Sequence, residues 1–370
     1  MSLNFSILKE TIFSLLFFIC LQTIVFAQDN YSYRKVEGSQ LSGRLSAMQN
    51  VNNFGRLPAQ LKGSVREAVW NLGEYSAGLY IDFKTNSDTI VVKYKVKSVL
   101  NMPHMPTTGV SGVDLYFHNE QNKRWEWAFG RYQFKDTIQY TFSNIGHNTN
   151  GTYRLYLPLY NIVDFLEIGT PKSNTLDIVT DNVKPIVIYG TSIAQGACTS
   201  RPGLGWTSIL GRDFSNEVIN LGFSGNGRLE QPILDVIAAQ EAAVYILDCI
   251  PNLSITKERS AEQLDSLILH AVEFLRSKRP HTPIVLTEHS SAFTEGFLNK
   301  ATMEEYGTST KVGQEAFKKL KKLGVKNIYW LNRDDIGLDV NSTVDYAHPN
   351  DIGMMKLAKA YEKLLKKILK

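Results

Sequence analysis

The chain is poor in cysteine, in long apolar segments and in clustered charge, and each absence excludes a class of protein. Only three cysteines occur in 370 residues, so a scaffold held together by disulfides is excluded. Beyond an apolar run near the N-terminus, no segment approaches the roughly 20 apolar residues needed to span a bilayer. The formal net charge is +4, but six lysines lie in the last fifteen residues, which leaves the remainder near neutral. This distribution argues against a nucleic-acid-binding protein, which needs a basic stripe on a folded face.

Sequence motifs for metal ions and for nucleotide phosphates are also missing. The seven histidines show no metal-ligand spacing. The glycine-rich stretch 220–227 is not followed by the Gly-Lys-Ser/Thr of a phosphate-binding loop. We therefore expect chemistry that needs no metal and no other cofactor.

The N-terminal segment predicts export. Lys9 precedes an apolar run that ends in Val25-Phe26-Ala27, a site suited to cleavage before Gln28. We expect residues 1–27 to be a signal peptide and the mature protein to be periplasmic or secreted, without membrane insertion after cleavage. The sequence does not determine the oligomeric state.

Between residues 67 and 178 the pattern is one of short strands separated by turn residues. Many of them alternate apolar and polar residues, as a strand with one buried face must. Seven strands are predicted, at residues 78–83, 89–96, 113–117, 124–129, 137–142, 153–157 and 163–168. This pattern predicts a jelly-roll-like β-sandwich domain over residues 28–180, with an irregular lead-in up to about residue 61.

After residue 181, fully apolar strands alternate with segments of helical periodicity. The predicted strands are residues 186–189, 218–221, 243–247, 283–287 and 327–331. The predicted helices are residues 205–214, 229–240, 261–277, 310–323 and 351–369. This alternation predicts an α/β domain over residues 181–370, a three-layer, flavodoxin-like parallel sheet with helices on both faces.

Two cysteines, Cys198 and Cys249, remain in the mature chain. They follow the first and third predicted parallel strands, so they could lie close together, and an oxidising compartment permits a disulfide. Two free, buried thiols are the alternative.

Polar residues with the potential for catalysis follow the parallel strands. Ser192 follows the first strand, Asn252 follows the third, and Asp345-Tyr-Ala-His348 precedes the last helix. Open α/β sheets place their chemistry at the carboxyl ends of the strands. Residues three apart in a turn can face one another, so the Asp345 carboxylate could accept from one nitrogen of His348. The other nitrogen is then free to face Ser192, as a serine nucleophile requires.

In this order and spacing the stretches resemble the blocks of the SGNH or GDSL-type hydrolases. Gly190-Thr191-Ser192 stands for the Gly-Asp-Ser block, Gly225 for the glycine of the second block and Asn252 for the asparagine of the third. Asp345-x-x-His348 stands for the final block. The resemblance covers roughly residues 180–370.

The resemblance extends to the predicted sandwich. Gly112-Val-Asp-Leu-Tyr116 is similar to the Gly-x-Asp-Leu-Tyr motif of two-domain exported members. Two positions depart from the family pattern: Thr191 replaces the aspartate of Gly-Asp-Ser, and Ile250-Pro251 stands where a glycine usually leads the third block.

The resemblance implies a mechanism and a role for each site residue. Ser192 is the nucleophile, His348 is the general base that takes its proton, and Asp345 fixes the tautomer of the imidazole. The donors of the oxyanion hole are the Ser192 N–H, the Gly225 N–H and the side-chain amide of Asn252.

We therefore predict an exported carboxylic ester hydrolase that removes an acyl group, in particular acetyl, from a small-molecule or carbohydrate ester. The carbohydrate part depends on export and on the aromatic residues of the sandwich, namely Trp125, Trp127, Tyr153 and Tyr156, which could equally form its core. An acyltransferase with the same triad is one alternative. A carbohydrate-binding protein with an inactive hydrolase domain is another.

Four further polar residues fall near the expected crevice. Arg201, Glu288 and His289 are interpreted as solvated or ion-paired loop residues. His104 lies in the long Pro/Gly loop 101–112, which we expect to pack under the neighbouring domain with the histidine in a structural hydrogen bond.

Overall fold

The computed structural model describes residues 30–146, 151–180, 183–214, 216–290 and 296–369. The predicted signal peptide lies outside the described residues. No helix within the described ranges has both the length and the apolar character needed to cross a bilayer.

The N-terminal part contains two five-stranded antiparallel sheets. The first has the order β1 (Tyr31–Lys35), β9 (Val163–Pro171), β3 (Thr89–Val96), β7 (Ile138–Ser143) and β6 (Arg131–Gln133). The second has the order β10 (Leu176–Val179), β2 (Tyr80–Thr85), β8 (Gly151–Tyr156), β4 (Asp114–Asn119) and β5 (Arg124–Ala128). Alternate residues of both sheets form one apolar core, so the predicted β-sandwich is confirmed. All seven predicted strands are present, and β1, β6 and β10 were not predicted.

The C-terminal part is built on one parallel sheet. Its order is β12 (Val218–Gly222), β11 (Ile186–Gly190), β13 (Val244–Asp248), β14 (Ile284–Thr287) and β15 (Ile328–Leu331). Successive residues of β11 point to opposite faces: Ile186 and Ile188 pack on one side, Val187 and Tyr189 on the other. This is the predicted flavodoxin-like order, and β11 lies where the chain reverses its direction of winding.

Helices cover both faces of this sheet. They are α3 (Ser192–Gln195), α4 (Trp206–Asp213), α5 (Gln231–Ala239), α6 (Ala261–Lys278), α7 (Lys300–Lys322), α8 (Arg333–Ile336) and α9 (Asp351–Ile368). Two helices lie earlier in the chain, α1 (Glu67–Gly73) and α2 (Thr107–Val110), and neither was predicted. The α6 helix begins with the capping box Ser260 and Gln263, in which each side chain accepts from the backbone N–H of the other.

Helix α7 begins ten residues before the predicted position. The run from Gly307 to Thr310 has poor helix propensity, which favours a later start. Tertiary contacts override this propensity, because Ser309 and Thr310 are buried and hydrogen-bonded. The Ser309 hydroxyl donates to the Leu253 carbonyl, and the Thr310 hydroxyl accepts the His289 N–H.

The predicted irregular lead-in packs on both parts of the molecule: Val36, Leu41 and Phe54 belong to the core of the sandwich, and other lead-in residues pack on the parallel sheet. Leu45, Met48, Leu57 and Leu61 belong to the same apolar cluster as the strands β11 to β14. The division into domains at residue 180 therefore stays a prediction, because part of the first segment contributes to the core of the second.

The two cysteines are free and buried, which was the alternative to a disulfide. The Cys249 thiol donates to the backbone carbonyl of Tyr189 over 3.4 Å. Burial, reinforced by the nearby Asp345 carboxylate, raises the pKa of the Cys198 thiol to about 12. Neither thiol has the lowered pKa of a reactive cysteine.

Candidate active site

Ser192 lies at the turn from β11 into the short helix α3. The Thr191 hydroxyl accepts the Ile193 N–H and caps the helix, which leaves Ser192 at the first helical position with its own N–H outside the helical hydrogen-bond pattern. The helix ends at Gly196, whose φ of 104° is in the left-handed region. Ser192 is thereby held on a one-turn helix, and only 5% of its surface is exposed.

Glycine brings the second block of the motif against this turn. A Cβ on Gly227 would lie 2.2 Å from the Gly190 carbonyl oxygen and 3.1 Å from the Thr191 nitrogen. Only glycine allows so close an approach. The stretch after β12 therefore packs directly on the peptide that precedes Ser192.

The structure brings Ser192, His348 and Asp345 together. The Ser192 hydroxyl oxygen lies 2.7 Å from His348 Nε2, and His348 Nδ1 lies 2.7 Å from an oxygen of the Asp345 carboxylate. The other carboxylate oxygen accepts the backbone N–H groups of Ala347 and His348. The loop closes on itself before α9, where the Val344 N–H donates to the His348 carbonyl.

Hydrogen bonding keeps the Asp345 carboxylate charged. Partial burial alone would raise the pKa of Asp345. Hydrogen bonds from the ring and backbone of His348, the charge of His348 and a hydrogen bond from the Ala347 N–H together lower this pKa to about 2. An ionised carboxylate accepts from Nδ1, so the proton of a neutral His348 lies on Nδ1. Nε2 is then the acceptor that faces the Ser192 hydroxyl.

The three predicted oxyanion donors lie on neighbouring loops. The Asn252 carbonyl oxygen accepts the Gly227 N–H over 3.1 Å, so the NH₂ end of this amide is the end that remains available to donate. Gly225 has a φ of 68°, which glycine adopts without strain. In the part of the chain that the structure describes, the N–H groups of Ser192 and Gly225 have no hydrogen-bond partner.

Three of the four additional residues differ from expectation, and two of them, Glu288 and His289, differ in burial. Glu288 and His289 are buried, with 3% and 2% of their surface exposed, so the interpretation as solvated loop residues was wrong. The Glu288 carboxylate accepts from the side chains of Gln314 and Trp330 and from the Arg333 N–H. Glu288 and His289 directly follow β14 at a buried edge of the sheet. A buried polar side chain there needs hydrogen-bond partners.

His289 is a neutral histidine beside the predicted general base. Burial, with a contribution from the charge of His348, lowers its pKa to about 3. Its ring stacks on Tyr306 at a centroid distance of 3.9 Å. Nδ1 of the ring is buried, and no described residue forms a hydrogen bond with it.

Arg201 is ion-paired, and it connects the two parts of the molecule. Its guanidinium donates to the Asp114 carboxylate and to the Tyr116 hydroxyl, both within the Gly-x-Asp-Leu-Tyr motif. The same carboxylate accepts the Gly203 N–H over 2.9 Å and the Trp127 indole N–H over 2.6 Å. The motif therefore holds the loop that follows Ser192.

The loop 101–112 packs against the same region, as expected, and places His104 near the predicted triad. The Thr108 hydroxyl donates to the Ser200 carbonyl, and a Cβ on Gly109 would lie 2.2 Å from the Thr199 carbonyl oxygen. His104 is exposed, with its ring 6.5 Å from that of His348, and makes no hydrogen bond within the described residues. The expected structural hydrogen bond of His104 was wrong.

Two positioning residues were missed from the sequence. The Asp351 carboxylate accepts from the hydroxyl and the N–H of Ser200, which joins the serine loop to the start of α9. Gln195 is fully buried; its side chain accepts the Ser224 N–H and donates to the Leu159 carbonyl. Their proximity to Ser192 and His348 in sequence was the only available signal.

The four aromatic residues of the sandwich differ in their exposure and contacts. Tyr153 and Tyr156 are buried in the molecule. The Trp125 indole N–H donates to the Arg212 carbonyl, across to the second part of the chain. Trp127 is 48% exposed.

Comparison with known proteins agrees with this architecture. The model of the GDSL-like lipase/acylhydrolase family matches residues 183–366, and the model of the GxDLY N-terminus of SGNH-type esterases matches residues 31–176. A protein described as a GDSL-like lipase, from Bacteroides ovatus, is 32% identical over 91% of this chain and 98% of its own, with a TM-score of 0.81. No curated protein matches the chain.

Two more distant structures share the fold. A salicylyl-acyltransferase of a tetracycline biosynthetic pathway is 16% identical, with a TM-score of 0.69, over 93% of this chain and 96% of its own. A family two carbohydrate esterase from Cellvibrio japonicus is 12% identical, with a TM-score of 0.53, over 92% and 98%. Because the relative from Bacteroides ovatus matches over nearly its whole length and both family models match in order, the chain belongs to the GDSL-like lipase/acylhydrolase family and is an SGNH-type ester hydrolase with a GxDLY domain.

Proposed function

We propose that the chain is an exported serine esterase that removes acetyl groups from carbohydrate esters. The observation that carries the proposal is the continuous hydrogen-bonded row from the Ser192 hydroxyl through the imidazole of His348 to the Asp345 carboxylate. The apolar run that ends in Val25-Phe26-Ala27 supports export. Fold similarity to a carbohydrate esterase supports the class of substrate.

In the proposed mechanism, charge develops at two places. Ser192 Oγ attacks the ester carbonyl while its proton passes to His348 Nε2, and the imidazolium is stabilised by the charged Asp345. The carbonyl oxygen becomes an oxyanion, which the N–H groups of Ser192 and Gly225 and the amide of Asn252 stabilise by donating hydrogen bonds. When this intermediate collapses, the ester C–O bond breaks, His348 gives its proton to the leaving alcohol oxygen, and the acyl group stays bound to Ser192 Oγ.

The second half of the reaction releases the acyl group. Water loses a proton to His348 and attacks the acyl-serine, and the same donors receive the oxyanion again. Acetate leaves when Ser192 recovers its proton. No step requires a group outside the chain and its substrates.

Acetate release from acetylated polysaccharides tests this proposal. With the mature chain from Gln28, we expect release that Ser192→Ala reduces by about four to six orders of magnitude, to background. Equal release from both proteins would refute the assignment. Secretion is tested separately, by N-terminal sequencing of the protein recovered outside the cytoplasm, which should begin at Gln28.

An acyltransferase is the second candidate, favoured by the fold similarity to the salicylyl-acyltransferase. Such an enzyme passes the acyl group from Ser192 to an alcohol instead of water. Product analysis with and without an added sugar acceptor separates the two. Free acetate as the main product in both cases supports the esterase.

A further inference from the structure

A cleft of about 730 Å³ opens beside two of the predicted oxyanion residues, Gly225 and Asn252. Arg228 and Arg259 also line it, and Glu258 is its one acidic residue. The remaining lining residues are Pro251, Ser254, Thr256, Gln263 and Leu267.

Backbone carbonyls hold both arginines in place. Arg228 donates through Nε and one terminal nitrogen to the Gly225 carbonyl, over 3.2 and 3.1 Å. Arg259 donates through one terminal nitrogen to the carbonyls of Asn252 and Ser254, over 3.4 and 3.2 Å. Each guanidinium is therefore fixed to the backbone of one predicted oxyanion donor, and each retains donor groups that these bonds do not use.

Within the described residues, the two arginines of the cleft form no ion pair, because neither guanidinium has a carboxylate within ion-pair distance. The Glu258 carboxylate accepts from the Thr256 hydroxyl, and the nearby Arg66 is paired with Glu230. Burial, with the charges of Arg228 and Arg66, lowers the pKa of Arg259.

An arginine with a purely structural role needs only the bonds to the backbone. Two guanidinium groups in one cleft without carboxylate partners favour an anion bound between them, because both attract it. Guanidinium donors in a planar fork match the geometry of carboxylate and sulfate oxygens. The cleft is open to solvent, and its volume is in the range of pockets that bind small-molecule ligands.

We propose that Arg228 and Arg259 form a subsite for an anionic substituent, a carboxylate or a sulfate, on the carbohydrate that carries the ester. This inference rests on the proposed function and specifies its substrate class as an acidic glycan. Anchoring the anion beside Gly225 and Asn252 would orient the acyl group toward Ser192.

A matched pair of polymers tests the subsite. One is acetylated polygalacturonate, and the other is the same polymer after methyl esterification of its carboxyl groups. We expect kcat/KM for acetate release to be at least about tenfold higher on the charged polymer, and this ratio to fall about tenfold in Arg259→Gln and in Arg228→Gln. Because the ratio compares two substrates on one protein, a general disturbance of the oxyanion loops cancels.

Two control variants sharpen this experiment. Arg259→Lys keeps the charge but loses the planar fork, and should retain more of the preference than Arg259→Gln. Arg34→Gln removes an exposed arginine of β1 that also donates to a backbone carbonyl, that of Leu176, and should leave the ratio unchanged. Raising the salt concentration should reduce the preference of the native protein, since exposed charges are screened.

Inhibition distinguishes the two anions. A galacturonate trimer and a sulfated galactose trimer are compared as competitive inhibitors of 4-nitrophenyl acetate hydrolysis. Stronger inhibition by either than by the methyl-esterified trimer supports the subsite and identifies its anion.

Equal hydrolysis of the charged and methyl-esterified polymers by the native protein would overturn the inference and leave the esterase proposal intact. If no ester is hydrolysed, the esterase proposal fails, and the subsite is then decided by calorimetric binding of the trimers to Ser192→Ala. Binding of the galacturonate or the sulfated trimer more tightly than the methyl-esterified trimer supports the subsite, whereas equal or weaker binding of both overturns it.

Discussion

At the scale of single residues, Asn252 has two hydrogen-bonding roles that can be separated. Its carbonyl oxygen accepts the Gly227 N–H, and its NH₂ group is the predicted oxyanion donor. Asn252→Asp keeps an acceptor for Gly227 but removes the donor and places a negative charge near the developing oxyanion. We expect kcat on 4-nitrophenyl acetate to fall by at least about 10² to 10³, with little change in the melting temperature.

The informative comparison is with Asn252→Ala, which removes both roles. If Asn252→Asp retained native kcat, the amide would not be an oxyanion donor. If Asn252→Ala lost the folded structure, measured by near-UV circular dichroism, while Asn252→Asp kept it, the Gly227 contact would be the structural role of this residue.

The lowered pKa of His289 should make the stability of the folded chain depend on pH. In the unfolded chain a histidine takes up its proton near pH 6.5, whereas burial lowers the pKa of the folded His289 to about 3. Between these values the unfolded state binds more protons, so stability is fully present above pH 6.5 and falls as the pH decreases toward 3. Each pH unit in this window costs up to about 1.4 kcal/mol.

His289→Phe should remove this slope while keeping the stacking on Tyr306. We expect the melting temperature of the variant to fall less than that of the native protein between pH 7 and pH 4.5. Parallel curves for the two proteins would show that His289 is not the titrating group.

Which residues could be predicted depends on whether the signal is local in sequence. Ser192 could be predicted because it follows an apolar strand and three later blocks come in the order of the SGNH hydrolases, and Asp345 lies three residues from His348 in one turn. The proximity of Arg228 to Arg259 depends on loops that meet only in the folded chain. The burial of His289 depends on helix α7, whose first ten residues were missed.

At the scale of elements, the pair Asp114 and Arg201 joins strand β4 to the loop after Ser192. The carboxylate is 3% exposed. Asp114→Asn leaves Arg201 partly buried without its counter-charge, which typically costs about 3 to 5 kcal/mol of unfolding free energy. Urea unfolding measures this loss.

A double-mutant cycle identifies the pair as the cause. Arg201→Gln in the Asp114→Asn background should cost less than Arg201→Gln alone, because the charge it removes has already lost its partner. Additive losses would mean that Asp114 acts through Gly203 and Trp127 rather than through Arg201.

The positions of the strands were easier to predict than those of the short helices. Strand β3 has eight residues, most of them β-branched, and its predicted bounds, residues 89–96, agree with the structure. Helix α2 has four residues, including a glycine, and forms because Gly109 fits closely against Thr199. No periodicity can be read from one turn, so contacts with a distant loop decide such a helix.

At the scale of the whole molecule, the buried Arg56 connects the lead-in to the parallel sheet. Its guanidinium donates to the carbonyls of Asn220 and Gly222 at the end of β12, and to those of Leu72 and Tyr75. Burial lowers its pKa to about 9. The sequence pattern of the lead-in is weak because its apolar residues divide between the core of the sandwich and that of the parallel sheet.

Because lead-in residues form part of the core of the parallel sheet, we expect that the parallel-sheet domain does not fold alone. A fragment of residues 181–370 lacks Leu45, Met48, Leu57 and Leu61, and their absence uncovers part of one face of the sheet. Each such side chain contributes about 1.5 to 3 kcal/mol when buried, and their combined loss is comparable with the whole stability of a typical domain. We expect the mature chain to unfold in one cooperative transition, and the fragment to bind a hydrophobic dye and show no cooperative transition. A fragment with native near-UV circular dichroism and a sharp transition would instead establish residue 181 as the start of an independently folding domain.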